Sequence, residues 1–152
     1  MSIVITEVAA DSANAVQLIG ELDAHLWTHP YPPQSRHAFS VDKLLREGVV
    51  FFITHYEGQL AGCGGIKMFG EEYGEVKRMW VRPVFRGKGL GKAMLRHLAE
   101  YARDKGAGLL RIETGIYEVE AIGLYEGFGF QRRAPFGEYV EDTNSVYLEK
   151  KI

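Results

Sequence analysis

The feature that most constrains this chain is the run Val81-Arg82-Pro83-Val84-Phe85-Arg86-Gly87-Lys88-Gly89-Leu90-Gly91-Lys92. It joins a strand-like stretch, residues 74–81, to a segment where Leu90, Ala93, Met94, Leu98 and Tyr101 recur at helical spacing. Glycines at 87, 89 and 91 permit unusual dihedrals and close approach of a ligand to the backbone. The first turn of a helix leaves its N–H groups unpaired and carries partial positive charge. With Arg86, Lys88 and Lys92 beside them, those donors suit a phosphate or pyrophosphate. An ordinary strand-to-helix turn is the competing explanation, but it seldom needs three glycines and three cations.

Two familiar phosphate loops do not fit. A P-loop requires Gly-Lys followed by Ser or Thr, with a glycine five positions earlier. Here Ala93 follows Gly91-Lys92, and the earlier position is Arg86. The dinucleotide fingerprint G-x-G-x-x-G fails too, because the glycines run G-x-G-x-G. ATP hydrolysis and NAD binding lose support, and Arg86-x-x-Gly89-x-Gly91 remains.

The rest of the chain reads as one mixed α/β domain, residues 1–152. Ile3, Ile5 and Val8 alternate with polar neighbours as in a strand. Asp11-Ser12 offers N-cap chemistry for a helix running to Trp27, with Ala15, Leu18, Ile19, Leu22 and Leu26 on one face. His29-Pro30-Tyr31-Pro32-Pro33 must be a loop. A short helix is expected near residues 41–46. Strands at 49–56, 60–69 and 74–81 follow, with Glu57-Gly58 as a tight turn, and form an antiparallel meander. After the long helix, with Gly106 as its stop, come a strand at 108–114, a helix at 118–128, and an antiparallel pair at 130–133 and 145–149. Strand, helix, strand, helix, strand argues a βαβ-type unit grafted on the meander.

Composition narrows the function. Lys plus Arg total 18 against 20 Asp plus Glu, a net charge of −2, so the basic excess expected of a nucleic-acid binder is missing. No apolar run approaches the ~20 residues a membrane span needs, and the first residues lack a secretory pattern. The expected setting is cytoplasmic. Cys63 is the only cysteine, which forbids an intrachain disulfide. Nothing places a base beside it, so nucleophilic use is set aside. His25 and His29 have zinc-compatible spacing, but no acidic or cysteine partner is evident and Pro30 follows. No metal is expected.

With Arg86-x-x-Gly89-x-Gly91, the stretch from Glu75-Val76-Lys77-Arg78-Met79-Trp80-Val81 through Lys92 resembles the central motif of the GCN5-related N-acetyltransferase (GNAT) family. The run Ala121-Ile122-Gly123-Leu124-Tyr125-Glu126-Gly127-Phe128-Gly129-Phe130 resembles the family's second motif, A-x-x-x-Y-x-x-x-G-F. Both occur in the family's order, the resemblance covers nearly the whole chain, and the pattern is similar to that of small bacterial single-domain members. It implies a mostly antiparallel central sheet with a splayed parallel strand pair, flanked by helices.

The resemblance also implies acetyl-CoA as co-substrate and transfer of its acetyl group to a primary amine by direct attack in a ternary complex. Arg86, Gly87, Lys88, Gly89, Leu90, Gly91 and Lys92 would take the pyrophosphate. Backbone groups of Met79, Trp80 and Val81 would hold the pantetheine arm, with a Val81-like amide near the thioester oxygen. Tyr125 matches the tyrosine that protonates the departing thiolate, a helix tyrosine packed on the core being the alternative. Glu75 matches a position used as base, and an exposed carboxylate paired with Lys77 or Arg78 is its alternative. Glu113 is a weaker rival. The family often carries Asn three residues before the motif's Ala. Glu118 stands there, so that residue's contacts do not carry over, and Glu118 is expected to face the amine instead.

The loop after the first helix, within residues 25–39, is expected to cover the acceptor, with Trp27 and Tyr31 lining a small pocket. Ala134-Pro135-Phe136-Gly137-Glu138-Tyr139 would close it. Aromatic packing beneath a loop is the alternative. A small-molecule amine or amino acid is the expected acceptor. A protein lysine or N-terminus, or a noncatalytic acyl-CoA sensor, are the competing functions. The resemblance suggests a homodimer, with no nucleic acid and no membrane as partner.

Overall fold

In the computed structural model, which describes residues 2–37 and 40–152, alternation along the strands divides the apolar residues between two helix layers. The elements run β1 (Ile3–Val8), α1 (Ala13–Leu26), α2 (Val41–Arg46), β2 (Val50–Tyr56), β3 (Gln59–Phe69), β4 (Tyr73–Val81), α3 (Leu90–Asp104), β5 (Leu109–Gly115), α4 (Val119–Phe128), β6 (Gln131–Arg133) and β7 (Ser145–Lys151). Short 3-10 turns at Pro33–Ser35 and Pro83–Phe85 complete the chain. Phe51 and Ile53 of β2, Cys63 of β3 and Trp80 of β4 pack against Ala15, Leu18, Ile19 and Leu22 of α1 and Leu44 of α2. Phe52, Ile66, Val76, Leu110 and Ile112 point the other way, onto Met94, Leu95, Leu98 and Ala102 of α3 and Ile122 and Tyr125 of α4. Burying a side chain such as Leu95 or Leu98, both fully enclosed, contributes roughly 1.5–3 kcal/mol.

The seven strands lie in the order β1-β2-β3-β4-β5-β7-β6, antiparallel except for β4 beside β5. This is the expected mixed sheet. The last strand inserts between β5 and β6, burying Leu148 centrally. Glu57 and Gly58 form the turn between β2 and β3, both with positive φ. Ser12 stands at the N-cap of α1 as expected, but its hydroxyl makes no cap bond.

One irregularity shapes the site. Lys77 of β4 opposes Gly65 and Trp80 opposes Cys63, so Arg78 and Met79 together face Gly64. This is a β-bulge, which bends and twists its strand. Arg78 takes a left-handed φ of 55°, at a cost of roughly 1–2 kcal/mol for a residue with a Cβ. Its guanidinium bonds the Asp23 carboxylate of α1, which helps hold the unusual backbone. Parallel pairing of β4 with β5 is confined to Gly74–Leu110 and Glu75–Arg111. Past Glu75 the two strands separate and open a cleft between them.

Candidate active site

The glycines of the loop differ in purpose. Gly87 and Gly89 both have φ of 81°, and a Cβ on either would meet nothing within 4 Å. Backbone conformation, not crowding, requires glycine there. Gly89 is the N-cap of α3, whose first turn has neither a side-chain cap nor an acidic residue. The first helical bond is Ala93 N–H to Gly89 carbonyl, so the amides just before it are left for a ligand. Gly91 serves packing: a Cβ would lie 2.6 Å from Leu124 of α4. An uncapped helix N-terminus behind two left-handed glycines fits a pyrophosphate.

Arg86 donates from Nε to the Val81 carbonyl at 3.0 Å, and its guanidinium lies 5.0 Å from the Trp80 ring centre. Its bond to the exposed Glu120, at 3.3 Å, is weak and replaceable. Met79, Trp80, Val81, Arg86, Gly87, Gly89, Leu90, Gly91 and Lys92 all line one cleft of about 930 Å³. Lys88 is outside that lining, with its ammonium 5.5 Å from the Tyr56 ring.

The same cleft is lined by Tyr125, Glu75, Glu113, Glu118, Tyr31, Trp27 and Tyr139. Tyr125, on α4, is 4% exposed, with its ring edge-on to Phe130. Burial first, and the charges of Glu118 and Glu113 second, push its hydroxyl well above the ordinary phenol value. It therefore stays protonated at neutral pH. It packs in the core and borders the cleft at once.

Glu75 is buried, not the exposed carboxylate of the alternative reading. Its Oε2 accepts from Lys77 Nζ at 2.8 Å and from the Tyr139 hydroxyl at 2.6 Å, and Lys77 also donates to that hydroxyl at 3.1 Å. Tyr139 sits in the expected closing loop, and Phe136 anchors that loop against Tyr73 and Tyr147. Burial pulls the Lys77 ammonium below its ordinary value, against the pull of Glu75. Glu113, on β5, accepts from Ser145 Oγ at 2.9 Å, and desolvation raises its carboxyl to about 7. At neutral pH it is near half-ionised. His37 also lines the cleft, edge-on to Tyr139 at 5.1 Å, and burial lowers it.

Tyr31 is buried; its hydroxyl donates to Glu118 Oε2 at 2.7 Å and accepts from Tyr117 N–H at 3.0 Å. Trp27 is 71% exposed, with the Arg36 guanidinium 4.0 Å from its ring centre, so it forms the rim and not the floor. Ala38 and Phe39, the far end of the expected acceptor loop, lie outside the described residues. The sequence reading found no acidic partner for His25 and His29. Folding supplies one: Glu118, the N-cap of α4, bonds His25 Nε2 at 2.7 Å across 93 residues of chain. Sequence reasoning also missed Arg36 and His37, whose residue types carry no signal until the loop folds over the cleft. Cys63 is buried, and burial pushes its thiol up to about 12, which disfavours the thiolate.

The splayed strand pair, the uncapped glycine-lined helix start and the buried Tyr125 thus border one cleft. The chain belongs to the acetyltransferase (GNAT) family, whose model matches residues 16–130. It is 40% identical to the IAA acetyltransferase of Azospirillum brasilense over 90% of each chain. It is 36% identical to the uncharacterized N-acetyltransferase YsnE of Bacillus subtilis, over 93% of this chain and 97% of that one. A crystal structure from Klebsiella pneumoniae, of a proposed acyl-CoA N-acyltransferase, superposes with a TM-score of 0.82 at 35% identity, covering 98% of this chain and 97% of that chain. The protein is thus an acetyl-CoA-dependent N-acyltransferase.

Proposed function

We propose that the protein transfers the acetyl group of acetyl-CoA to the primary amine of a small molecule or amino acid, by direct attack while both are bound. One observation carries this reading: the glycine loop, the Tyr125 hydroxyl and the Glu75–Lys77–Tyr139–Glu113 group line a single cleft. Holding both reactants in one cavity replaces a bimolecular encounter with a positioned one. The amides of Gly91 and Lys92, with the Arg86 and Lys92 side chains, take the pyrophosphate. The unpaired edge of β4 from Val76 onward holds the pantetheine arm, and Met79, Trp80 and Val81 supply its backbone partners.

The attacking nitrogen must lose its proton. Glu113 is the better matched acceptor, since a carboxyl near 7 is partly ionised at working pH yet basic enough to take a proton. Glu75, held by Lys77 and Tyr139, supports it as the fixed negative partner and remains the alternative base. The attack forms the C–N bond and breaks the C–S bond, and the Tyr125 hydroxyl is the proton donor for the leaving sulfur. The closing loop with Tyr139 and the rim of Trp27 and Arg36 narrow the acceptor end, which favours a small amine over a protein tail.

The test is a screen of amines and amino acids for acetyl-CoA-dependent thiol release, with the acetylated product identified by mass spectrometry. A small amine acetylated in proportion to thiol released supports the proposal. Efficient acetylation of protein lysines with none of the small amines would overturn it.

A further inference from the structure

His25, His29 and Glu118 bring three donor atoms within 4.8 Å of one another, beyond anything the acetyl transfer above requires. We propose that this triad is a binding site for a divalent transition-metal ion of the zinc type, placed at the acceptor end of the cleft.

The local chain builds it. His25 lies in the last turn of α1, and the backbone continues past it in a tighter turn, with Thr28 N–H on the His25 carbonyl and His29 N–H on the Leu26 carbonyl. That turn keeps the two imidazoles together, with ring centres 5.3 Å apart. Each ring is braced: His25 lies 5.2 Å from Trp80, and His29 stacks on Tyr117 at 5.5 Å. Arg36 holds the His29 carbonyl at 2.9 Å. Glu118 enters from the start of α4, with a side chain only 9% exposed.

The distances come close to a coordination sphere. Glu118 Oε1 is 2.7 Å from His25 Nε2, and Oε2 is 3.9 Å from His29 Nε2. Ligands bound tetrahedrally at ~2.0–2.1 Å stand about 3.3 Å apart. The three donor atoms lie within 4.8 Å of one another, so shifts of about an ångström at each side chain would bring them to that spacing. Two imidazoles and one carboxylate suit zinc and its neighbours and are too few and too soft for calcium or magnesium. Tyr31 donates to Glu118 Oε2 at 2.7 Å and is itself held by the Tyr117 amide, the kind of outer partner that orients a ligating carboxylate. All three ligands line the cleft, so a further coordination position faces it, open to water or a donor atom of the acceptor.

The experiment is calorimetric titration of tag-free, metal-stripped protein with zinc chloride at neutral pH, repeated with cobalt(II) and followed by its visible absorption. The expected result is one ion per chain with micromolar affinity and a cobalt spectrum of low-coordinate type. His25→Gln and His29→Gln should each weaken binding at least tenfold while acetyl-CoA affinity, the check on folding, is retained. Magnesium should give no heat. Absence of zinc binding to the wild-type protein would overturn the proposal and leave a histidine–carboxylate hydrogen bond. Binding that survives both substitutions would overturn it as well, by placing the ion elsewhere. Neither outcome touches the acetyltransferase reading, which uses none of the three metal ligands.

Discussion

Glu75 and Lys77, two residues apart on β4, form an ion pair at 2.8 Å with both side chains more than nine-tenths buried. The Tyr139 hydroxyl bonds both, so the pair is the anchor that fastens the closing loop to the sheet. Removing one partner of a buried pair leaves an uncompensated charge, at a cost of about 3–5 kcal/mol. Lys77→Met should therefore destabilise the protein by about that much in chemical denaturation. The double variant Glu75→Gln, Lys77→Met should recover a good part of the loss. A single-variant loss under about 1 kcal/mol would show that water or another group already compensates Glu75.

Glu113 sets the pH dependence. If it receives the amine proton, kcat/KM rises with pH through about 7, and Glu113→Gln removes that limb and lowers the rate by ~10²-fold. Stability runs the other way. The folded state raises this carboxyl above its unfolded value, so folding favours the protonated form. Its contribution is complete below the ordinary carboxyl range and is lost as pH rises through about 7. Glu113→Gln should thus gain on the wild type between about pH 5 and about pH 8 in thermal melts. A constant difference across that range would contradict the assignment.

Gly115 tests the acceptor end. A Cβ there would lie 2.1 Å from the Tyr31 hydroxyl, so Gly115→Ala must push Tyr31 off Glu118. The expected result is a KM for the amine raised about tenfold, equivalent to ~1.4 kcal/mol, with acetyl-CoA affinity unchanged. A rise in acetyl-CoA dissociation constant instead would place Tyr31 and Glu118 on the donor side.

Tyr125→Phe keeps the ring that packs on Phe130 and removes only the hydroxyl. Acetyl-CoA affinity should hold, while kcat falls by ~10²-fold, the usual scale for a lost general acid. An unchanged kcat would leave Tyr125 as a packing residue.

The donor half of the site was legible because local sequence encodes it. Left-handed positions at 87 and 89 demand glycine, and the spacing of Leu90, Met94 and Leu98 demands a helix after them. On the acceptor side the sequence pointed to Trp27, Tyr31, Glu118 and the loop carrying Tyr139, which all line the cleft, but not to their bonds, which join distant segments. Glu118 meets His25 across 93 residues and Tyr139 meets Glu75 across 64, and no pattern in either segment announces the other. The splayed strand pair was expected only through family resemblance, and no local pattern marks the bulge at Arg78. A residue with a Cβ gives no sign that it will take a φ of 55°. The insertion of β7 between β5 and β6 likewise depends on which edge the last strand finds, which its own alternation cannot say.

The most direct test of the account is calorimetric titration of acetyl-CoA into the wild-type protein and Gly89→Val, with ATP as control. The account predicts micromolar binding to the wild type and none of comparable strength for ATP. It predicts at least a tenfold loss for Gly89→Val, because valine resists a φ of 81° and would shift the backbone that aims the amides at the start of α3. No acetyl-CoA binding to the wild type, or equal affinity in the variant, would mean that the loop is only a turn.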